Sequence, residues 1–334
     1  MNTYSYIEPE STDASFHFSV EEYCMHHFPQ NEPIWMLWQA DKCAMLGRNQ
    51  AAYVEIDMAK AKKNGIQIVR RSSGGGTIFT DMGTLLYTSI TPFFDGDDAT
   101  KIAREIVAPP IVCALENMGV EAVLKGRNDI LVDGKKISGI AQYIKNGRLC
   151  THGSLLFDAD LETLSTVLRV DEAKIKSKAL RSIRSRVTNL VDYMPHPCTM
   201  SEFMNILRHS LMEHENISNY MLSAKDITDI EKIRSEKYAN PNWNMGNAPF
   251  FTFNNSKRFP DGKVDVFLEV KKGTILSCKI QGDFLGLVSI HPLEEMIEGN
   301  LYDYNEILPI LHAVDLKPYL GNISLDEFLS CLFN

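Results

Sequence analysis

Two arginines, two serines and three glycines follow one another at residues 70–76, between two segments that predict short apolar strands, 66–69 and 77–79. Three consecutive glycines disfavour regular structure, because each has the most backbone freedom to lose on folding. A backbone without β-carbons can instead lie close to a ligand and turn its amide hydrogens toward it. Arginine adds fixed positive charge suited to phosphate or carboxylate. With the residues up to Asp81, the run predicts an anion-binding loop or, alternatively, a flexible hairpin loop with solvated arginines.

A predicted β-meander at residues 129–157 carries the second group of candidate residues. Asp-Gly and Asn-Gly pairs, both strong signals for two-residue hairpin turns, occur at 133–134 and 146–147. They divide the segment into three strands, at 130–132, 135–143 and 148–157.

The register of the first hairpin decides which of its polar side chains meet. With a simple two-residue turn, Ser138 lies opposite Asp129 and Lys136 lies opposite Leu131. Paired residues share a face, so the pattern predicts that Asp129, Lys136 and Ser138 project to the same side. A lysine and an aspartate beside a glycine-rich loop can hold a magnesium–phosphate group, or they can form an ordinary cross-strand ion pair on the solvent face.

His152 follows on the third strand, where simple alternation places it on the face opposite Lys136. Only a β-bulge would bring these two side chains together, so a packed structural histidine and a catalytic one both remain open. The chain contains no GxSxG elbow, no HExxH, and neither a P-loop nor a dinucleotide fingerprint. The residues alone therefore predict an anion- or nucleotide-binding α/β protein and no particular reaction.

Composition and charge narrow the class of protein. The chain has 334 residues, 44% hydrophobic and 23% charged, which is typical of a globular protein with one large domain and a smaller one, or with two. A net charge of −9 argues against general nucleic-acid binding. Neither a secretory signal nor an apolar stretch of membrane-spanning length is visible. Seven scattered cysteines without a CxxC pair predict reduced thiols in the cytoplasm and no zinc site.

The remaining elements predict an α+β protein. Strands are predicted at 34–38, 43–46 and 85–91, and helices at 16–27, 57–64, 99–118, 161–168, 171–178, 201–214 and 224–238. Pro109-Pro110 should interrupt the third of these helices, and Asn240-Pro241-Asn242 marks a linker. After the linker, alternation from Val264 to Val270 predicts a small domain with a half-buried sheet, a strand at 275–280 and helices at 293–297 and 303–312.

Five short motifs occur together in a fixed order: RRSSGGG at 70–76, GRND at 126–129, GKKISG at 134–139, HGSLL at 152–156 and SIRSRVTNL at 182–190. This set resembles the lipoate–protein ligase A family, and the similarity extends from the helix at Phe16 through the C-terminal domain. Each motif is weak by itself, but the five in this order and spacing are specific. The resemblance implies a large mixed-sheet catalytic domain of the biotin/lipoate-ligase type at residues 1–242 and a smaller α+β accessory domain at 246–334.

The resemblance also implies a two-step reaction. Lipoate and ATP, with Mg²⁺, first form lipoyl-adenylate and pyrophosphate. The ε-amine of a protein lysine then attacks the acyl carbon, which forms an amide and releases AMP. The implied acceptors are the lipoyl domains of 2-oxoacid dehydrogenase E2 subunits and glycine cleavage H protein.

Roles for individual residues follow from the resemblance, motif by motif. The residues implied to hold the nucleotide are Arg71 and the backbone of Gly76, Thr77, Ile78 and Phe79. The residues implied to border the lipoyl tail are Phe18, Ser73, Gly75, Gly76 and His152. Lys136 would contact the carboxylate and the α-phosphate and stabilise the charge that develops on both, without a covalent intermediate of its own. Asn128 and Asp129 would bind the magnesium–phosphate group, with Asp129 as the metal ligand.

The sequence departs from the family pattern around the acyl pocket. Thr80 and Thr84 stand where His and Asn are common in the family, and Cys150-Thr151 replaces a bulkier pair. These positions leave the preference between lipoate and octanoate open.

Three other functions are weighed against the ligase. Acyltransferases of the same fold move lipoyl or octanoyl groups through a cysteine thioester, which requires an activated thiolate. Their cysteine lies upstream of the site lysine, whereas no cysteine occurs here between Cys113 and Lys136, and Cys150 lies downstream. Biotin–protein ligases share the architecture but not the arginine-serine-glycine loop. A non-catalytic lipoate-binding protein would have no need of Lys136, Asp129 and the loop together.

Overall fold

The structure, a computed structural model, describes residues 3–126, 128–168, 187–214, 216–246, 253–271 and 273–333. The strands before the C-terminal domain are Thr3–Ile7 (β1), Ile34–Trp38 (β2), Cys43–Leu46 (β3), Gln67–Arg70 (β4), Ile78–Thr80 (β5), Thr84–Pro92 (β6), Val123–Lys125 (β7), Asp129–Val132 (β8), Lys135–Lys145 (β9), Arg148–Leu156 (β10) and Asn216–Asn219 (β11). Eight of them form one sheet in the order β11-β1-β2-β6-β10-β9-β8-β7. The β11-β1-β2 pairs are parallel and the others antiparallel, so the predicted mixed sheet is confirmed.

Hydrophobic cores cover both faces of this large sheet. The helices that pack on it are Ala108–Asn117 and Met200–His214 on one face, and Ala14–His27 and Ala224–Ile233 on the other. Cys150 belongs to the core beneath Ala14–His27. Because side chains alternate along a strand, His152 points toward the same helix.

The predicted meander is confirmed, and its turns have the expected geometry. Asp133 and Gly134 have φ of 49° and 73°, and Asn146 and Gly147 have φ of 53° and 68°. Positive φ at both central positions is the signature of the type I′ hairpin, which asparagine, aspartate and glycine tolerate best.

One prediction about the meander is wrong, because the pairing of β8 with β9 contains a β-bulge. Lys136 does lie opposite Leu131, but Asp129 pairs with Gly139 rather than with Ser138. Ser138 therefore faces the opposite side of the sheet, where its hydroxyl lies 3.3 Å from that of Tyr87.

The bulge has a consequence for the functional residues. An extra residue in a bulge reverses the alternation of side chains beyond it. Lys136 consequently shares a face with Gly139 and Ala141, and Ala141 pairs with His152 on β10. The bulge thus brings Lys136 and His152 to one side of the sheet, which simple alternation did not predict.

A second, three-stranded sheet, in the order β4-β3-β5, holds the glycine-rich run between two of its strands. The predicted strands at 34–38 and 43–46 are both present, but they belong to different sheets because the chain crosses from one sheet to the other at the intervening turn. The small sheet packs with short helices at Ala52–Glu55, Met58–Lys63 and Leu161–Val167.

The predicted interruption at Pro109-Pro110 has a different form in the structure. Pro109 and Pro110 lie in the first turn of the helix Ala108–Asn117, where prolines need no amide hydrogen. A π-helical turn at Ala103–Val107 joins that helix to the helix Ala99–Ile102. A second π-helical turn, Arg234–Tyr238, extends the helix Ala224–Ile233. The predicted helix at 171–178 and most of the 182–190 motif lie outside the described residues.

The C-terminal part has a core of its own. Its sheet consists of Phe253–Phe259 (β12), Gly262–Lys271 (β13) and Thr274–Gly282 (β14), paired antiparallel in chain order. Its helices are His291–Ile297, Tyr304–His312, Lys317–Leu320 and Leu325–Phe333, of which the last two were not predicted. The segment predicted as a linker begins a helix, Pro241–Met245, with Asn240 as its N-cap. Among the residues that the structure covers, no helix is both long and apolar enough to cross a bilayer.

Candidate active site

The glycine-rich run forms a compact loop between β4 and β5, and the buried side chain of Arg71 organises it. The guanidinium of Arg71 donates to Ser73 Oγ (3.0 Å) and to the carbonyl oxygens of Met45 (2.9 Å), Gly74 (2.8 Å) and Gly76 (2.7 Å). Burial, with a neighbouring arginine, lowers the pKa of Arg71 to about 10, so the side chain stays charged near neutral pH. The loop therefore contains a buried positive charge that shapes its backbone.

Arg70 is also buried, but it turns away from the loop. Its guanidinium makes five hydrogen bonds to carbonyl oxygens, those of Gly47 (2.9 Å), Arg48 (3.0 Å), Gln50 (2.6 Å), Trp243 (2.9 Å) and Asn244 (3.0 Å). The backbone amide of Arg70 donates to Asn244 Oδ1 at 2.9 Å. Arg70 is thus a structural clamp that joins the start of the loop to the helix Pro241–Met245.

Replacing Arg70 with alanine should destabilise the protein by about 3 kcal/mol or more, since several buried carbonyl groups would lose their donor at once. Urea unfolding followed by circular dichroism measures the change. The matched control is Arg104→Ala, because Arg104 is exposed and donates a single bond to the Gly126 carbonyl oxygen (2.8 Å). Equal stability of the two variants would contradict the role of Arg70 as a clamp.

Lys136 and Asp129 form a close ion pair. Lys136 Nζ lies 2.7 Å from Asp129 Oδ1, and each side chain is a little over one third exposed, at 39% and 37%. A β-carbon at Gly139 would lie 2.7 Å from Lys136 Nζ, so the lysine side chain crosses directly over Gly139. Asn128 Nδ2 donates to the Ile140 carbonyl oxygen (3.0 Å), which holds the preceding turn against β9. The pair is accessible enough to meet a ligand.

His152 lies between a carboxylate and a hydroxyl. Its Nδ1 is 3.0 Å and 3.1 Å from the two carboxylate oxygens of Glu21, and its Nε2 is 2.6 Å from Ser73 Oγ. Glu21 also accepts a hydrogen bond from Thr88 Oγ1 at 2.7 Å. Glu21 was not among the predicted site residues, although it lies three residues after Phe18 on the same face of the Ala14–His27 helix, and that spacing was the available signal.

These groups surround one cavity of about 310 Å³. Of the predicted site residues, those that line it are Phe18, Arg71, Gly75, Gly76, Thr77, Ile78, Asn128, Lys136 and His152. Three others lie just behind its wall. Ser73 is fully buried against His152, the Phe79 side chain packs in the core of the small sheet, and Asp129 reaches the cavity through its contact with Lys136.

The C-terminal domain forms the remaining wall, which the sequence did not predict. It contributes Arg258, Pro260, Asp261, Gly262, Asp283 and Leu285. Arg258 Nη2 lies 3.0 Å from Asp283 Oδ2, so an ion pair stands at this wall. The cavity is therefore enclosed by two parts of the chain that are far apart in sequence.

Backbone hydrogen bonds dock the C-terminal domain directly on the glycine-rich loop. The Gly75 amide donates to the Phe284 carbonyl oxygen (3.1 Å), and the Gly282 amide donates to that of Asn49 (2.9 Å). A β-carbon at Gly74 would lie 2.7 Å from the Phe284 oxygen. At least one glycine of the loop is therefore required for domain contact, besides any role toward a ligand.

Family comparisons cover almost the whole chain. Residues 13–212 match the lipoyl protein ligase A/B catalytic domain, and residues 248–332 match the bacterial lipoate protein ligase C-terminus. Lipoate-protein ligase LplJ of Bacillus subtilis is 39% identical over 96% of this chain and 97% of its own length. Lipoate–protein ligase 1 of Staphylococcus aureus is 34% identical over 95% of this chain and 96% of its own length.

Solved structures share the architecture. P. falciparum LipL1 in complex with lipoate has a TM-score of 0.79 at 19% identity, over 99% of this chain and 98% of that chain, which shows the fold. Lipoate-protein ligase A bound with ATP has a TM-score of 0.63 at 26% identity, over 73% of this chain and 98% of that chain. The bi-partite lipoate protein ligase of Thermoplasma acidophilum was studied with its E2 lipoyl domain. It has a TM-score of 0.67 at 27% identity, over 76% of this chain and 100% of that chain.

The mixed sheet and the covered cavity beside the basic glycine-rich loop give the chain the fold of these ligases and one candidate ligand site. The chain belongs to the lipoate–protein ligase family. The predicted family, the α+β fold class and the ligase function are confirmed, and the cysteine-dependent acyltransferase alternative is not favoured.

Proposed function

We propose that this chain activates lipoate with ATP in the cavity beneath its C-terminal domain and then transfers the lipoyl group to a protein lysine, with Lys136 as the central catalytic residue. The observation that carries the proposal is the place of Lys136. Its ammonium group stands in the same cavity as the glycine-rich loop and His152. A cation there can stabilise negative charge on both the carboxylate and the α-phosphate as they react.

The polar part of the cavity fits a nucleotide. Its lining includes Arg71, Gly76, Thr77 and Ile78 from the glycine-rich loop and β5, and Asn128 from the turn before β8. Phe79 would contribute only backbone, since its side chain is buried.

Mg²⁺ is compatible with the donors beside Lys136. Magnesium is commonly held by one or two carboxylates together with phosphate oxygens, and Asp129 offers a partly exposed carboxylate next to Asn128. When bound, the ion would neutralise phosphate charge during adenylation. The chain's own part is to present Asp129, which Lys136 holds in place.

The apolar part of the cavity fits the lipoyl chain. Phe18, Trp38, Met45 and Leu86 line it, and His152 borders it. Such a lining removes apolar surface of a fatty acyl tail from water. Gly75 and Ser73 lie at this end through the loop and the Ser73–His152 hydrogen bond.

The acceptor is proposed to be a lysine of a lipoyl domain. A related archaeal ligase is described with an E2 lipoyl domain, which supports this class of partner. Glycine cleavage H protein is proposed as a second acceptor on the resemblance alone. A cytoplasmic location is proposed because all seven cysteines are unpaired, as expected in a reducing compartment.

One assay tests the proposal as a whole. The protein is incubated with MgATP, lipoate and an apo lipoyl domain or apo H protein, and the mass of the acceptor is read with and without ATP. The expected result is the addition of one lipoyl group only when ATP is present. Addition without ATP, or no addition with ATP to either acceptor, would contradict it.

Replacing Cys150 with serine should leave ligation within about threefold of the unsubstituted protein, because the thiol is not a nucleophile in this mechanism. Burial raises the pKa of the Cys150 thiol, so little thiolate is present near neutral pH. The rate of lipoyl-domain modification is the measurement. A folded but inactive Cys150→Ser protein would restore the thioester mechanism as an explanation.

A further inference from the structure

A group of three metal-binding side chains lies behind the apolar end of the cavity. Glu21, Cys150 and His152 each offer one donor atom, and these atoms lie within 4.8 Å of one another. Glu21 comes from the helix Ala14–His27, whereas the other two are alternate residues of β10. The tertiary structure thus brings together one oxygen, one sulfur and one nitrogen donor, and no CxxC motif in the sequence predicts this site.

We propose that Glu21, Cys150 and His152 form a binding site for a single Zn²⁺ ion that enters from the cavity. A three-ligand site of carboxylate, thiolate and imidazole leaves the fourth position of a tetrahedral ion open, and His152 connects the site to the cavity because its side chain lines it. Mg²⁺, which prefers oxygen ligands, belongs instead at Asp129, and the two metals would not compete for one site.

The separation of the donors suits this ion. Zn–S bonds are about 2.3 Å and Zn–N and Zn–O bonds about 2.1 Å, so the donors of a tetrahedral site stand on the order of 3.5 Å apart. The observed spread, within 4.8 Å, closes to this value with side-chain movements of about 1 Å. The Glu21 carboxylate already faces His152 Nδ1 at 3.0 Å and 3.1 Å, where the ion would replace the shared proton.

Charge balance favours the ion as well. Glu21 is 1% exposed, and its carboxylate meets the imidazole of His152, the hydroxyl of Thr88 and the thiol of Cys150. Binding of Zn²⁺ forms a Zn–S bond and releases two protons to solvent, one from the Cys150 thiol and one that Glu21 and His152 Nδ1 share, so that a thiolate and a carboxylate together neutralise the ion. A neutral cluster is less costly in a buried position than an isolated charge.

The contacts of His152 Nε2 also favour metal binding at Nδ1. His152 Nε2 faces Ser73 Oγ at 2.6 Å, and Arg71 Nε donates to the same oxygen. A hydroxyl oxygen has two lone pairs and can accept from both groups, which keeps a proton on Nε2, so Nδ1 is the nitrogen that binds the metal once the proton it shares with Glu21 has left. Ser73 is therefore a positioning residue for this site.

The test is a titration of the metal-free full-length protein with Co²⁺, whose charge-transfer absorption reports thiolate coordination. One equivalent should saturate the band in the unsubstituted protein, and Zn²⁺ should abolish it. Cys150→Ser should remove the band and weaken Co²⁺ binding by at least about tenfold. Cys113→Ser and Cys198→Ser are matched controls, because both thiols are partly exposed and outside the cavity, and both variants should keep the band.

Contrary results are equally specific. No band in the unsubstituted protein, a band retained by Cys150→Ser, or a band lost in either control would overturn the proposal. Should Cys150→Ser fail to fold, Glu21→Gln decides: it keeps the thiol and the shape of the side chain, and Co²⁺ affinity should fall by at least about tenfold. Unchanged affinity would refute the site.

A consequence for the enzyme rests on the proposed function. Because His152, one of the three ligands, borders the place proposed for the lipoyl tail, an ion bound beside it would crowd the tail, and Zn²⁺ should raise the apparent KM for lipoate without lowering kcat. The Co²⁺ titration needs no substrate, so it distinguishes failure of the metal site from failure of the ligase assignment. A Co²⁺ site without competition against lipoate would place the lipoyl tail elsewhere.

Discussion

Replacing Lys136 with alanine should lower pyrophosphate release from ATP and lipoate by about 10³-fold, while the protein stays folded. The ammonium group would otherwise stabilise charge on two reacting centres, and the cavity excludes much of the water that could take its place. Its side chain crosses Gly139 on the sheet surface and supports no core, so the effect on stability should be small. Pyrophosphate release and formation of lipoyl-adenylate are the measurements.

Lys135 provides the matched control. It is the adjacent lysine of β9, is exposed, and lies outside the cavity, so Lys135→Ala should keep close to full activity. Lys136→Arg keeps the charge on a larger, planar group and should recover only part of the rate. Nearly normal pyrophosphate release by a folded Lys136→Ala protein would refute the role assigned to this residue.

Ending the chain after Gly246 should lower the rate of adenylation by about 10²-fold, but lower transfer from preformed lipoyl-adenylate by no more than about tenfold. Removal of the C-terminal domain opens the wall that contains Arg258, Asp283 and Leu285, and water then screens the charges that act on the phosphates. The residues proposed to border the lipoyl tail, and Lys136, remain in the large domain. Pyrophosphate release and acceptor modification from synthetic lipoyl-adenylate separate the two steps.

The position of the cut matters. A division of the chain into residues 1–242 and 246–334 places Trp243 and Asn244 outside the large domain, yet both bind Arg70. A protein that ends at Asn242 is therefore the informative control, because it should unfold at lower urea concentration than the one that ends at Gly246. Equal loss of adenylation and transfer in the longer truncation would argue against a separate role for the C-terminal domain.

Local chemistry explains what could be predicted. The turns at Asp133-Gly134 and Asn146-Gly147 depend on φ preferences of single residues, and both were located correctly. The glycine-rich run was correctly predicted as a loop, but the burial of Arg70 and Arg71 was not predicted, and solvated arginines were the stated alternative. The loop's glycines, however, also serve contact with Phe284, and a loop sequence contains no information about a domain that packs on it from 200 residues away.

By itself, the sequence determined the α+β class, the meander, the basic loop and the family, because motifs, turn residues and alternation act over a few neighbouring positions. Only the tertiary structure decided that Lys136 and His152 share a face, that Glu21 and Cys150 stand beside His152, and that the C-terminal domain closes the cavity. The physical reason is that a bulge and an interdomain wall depend on packing between distant segments, and no local pattern of residues records that packing.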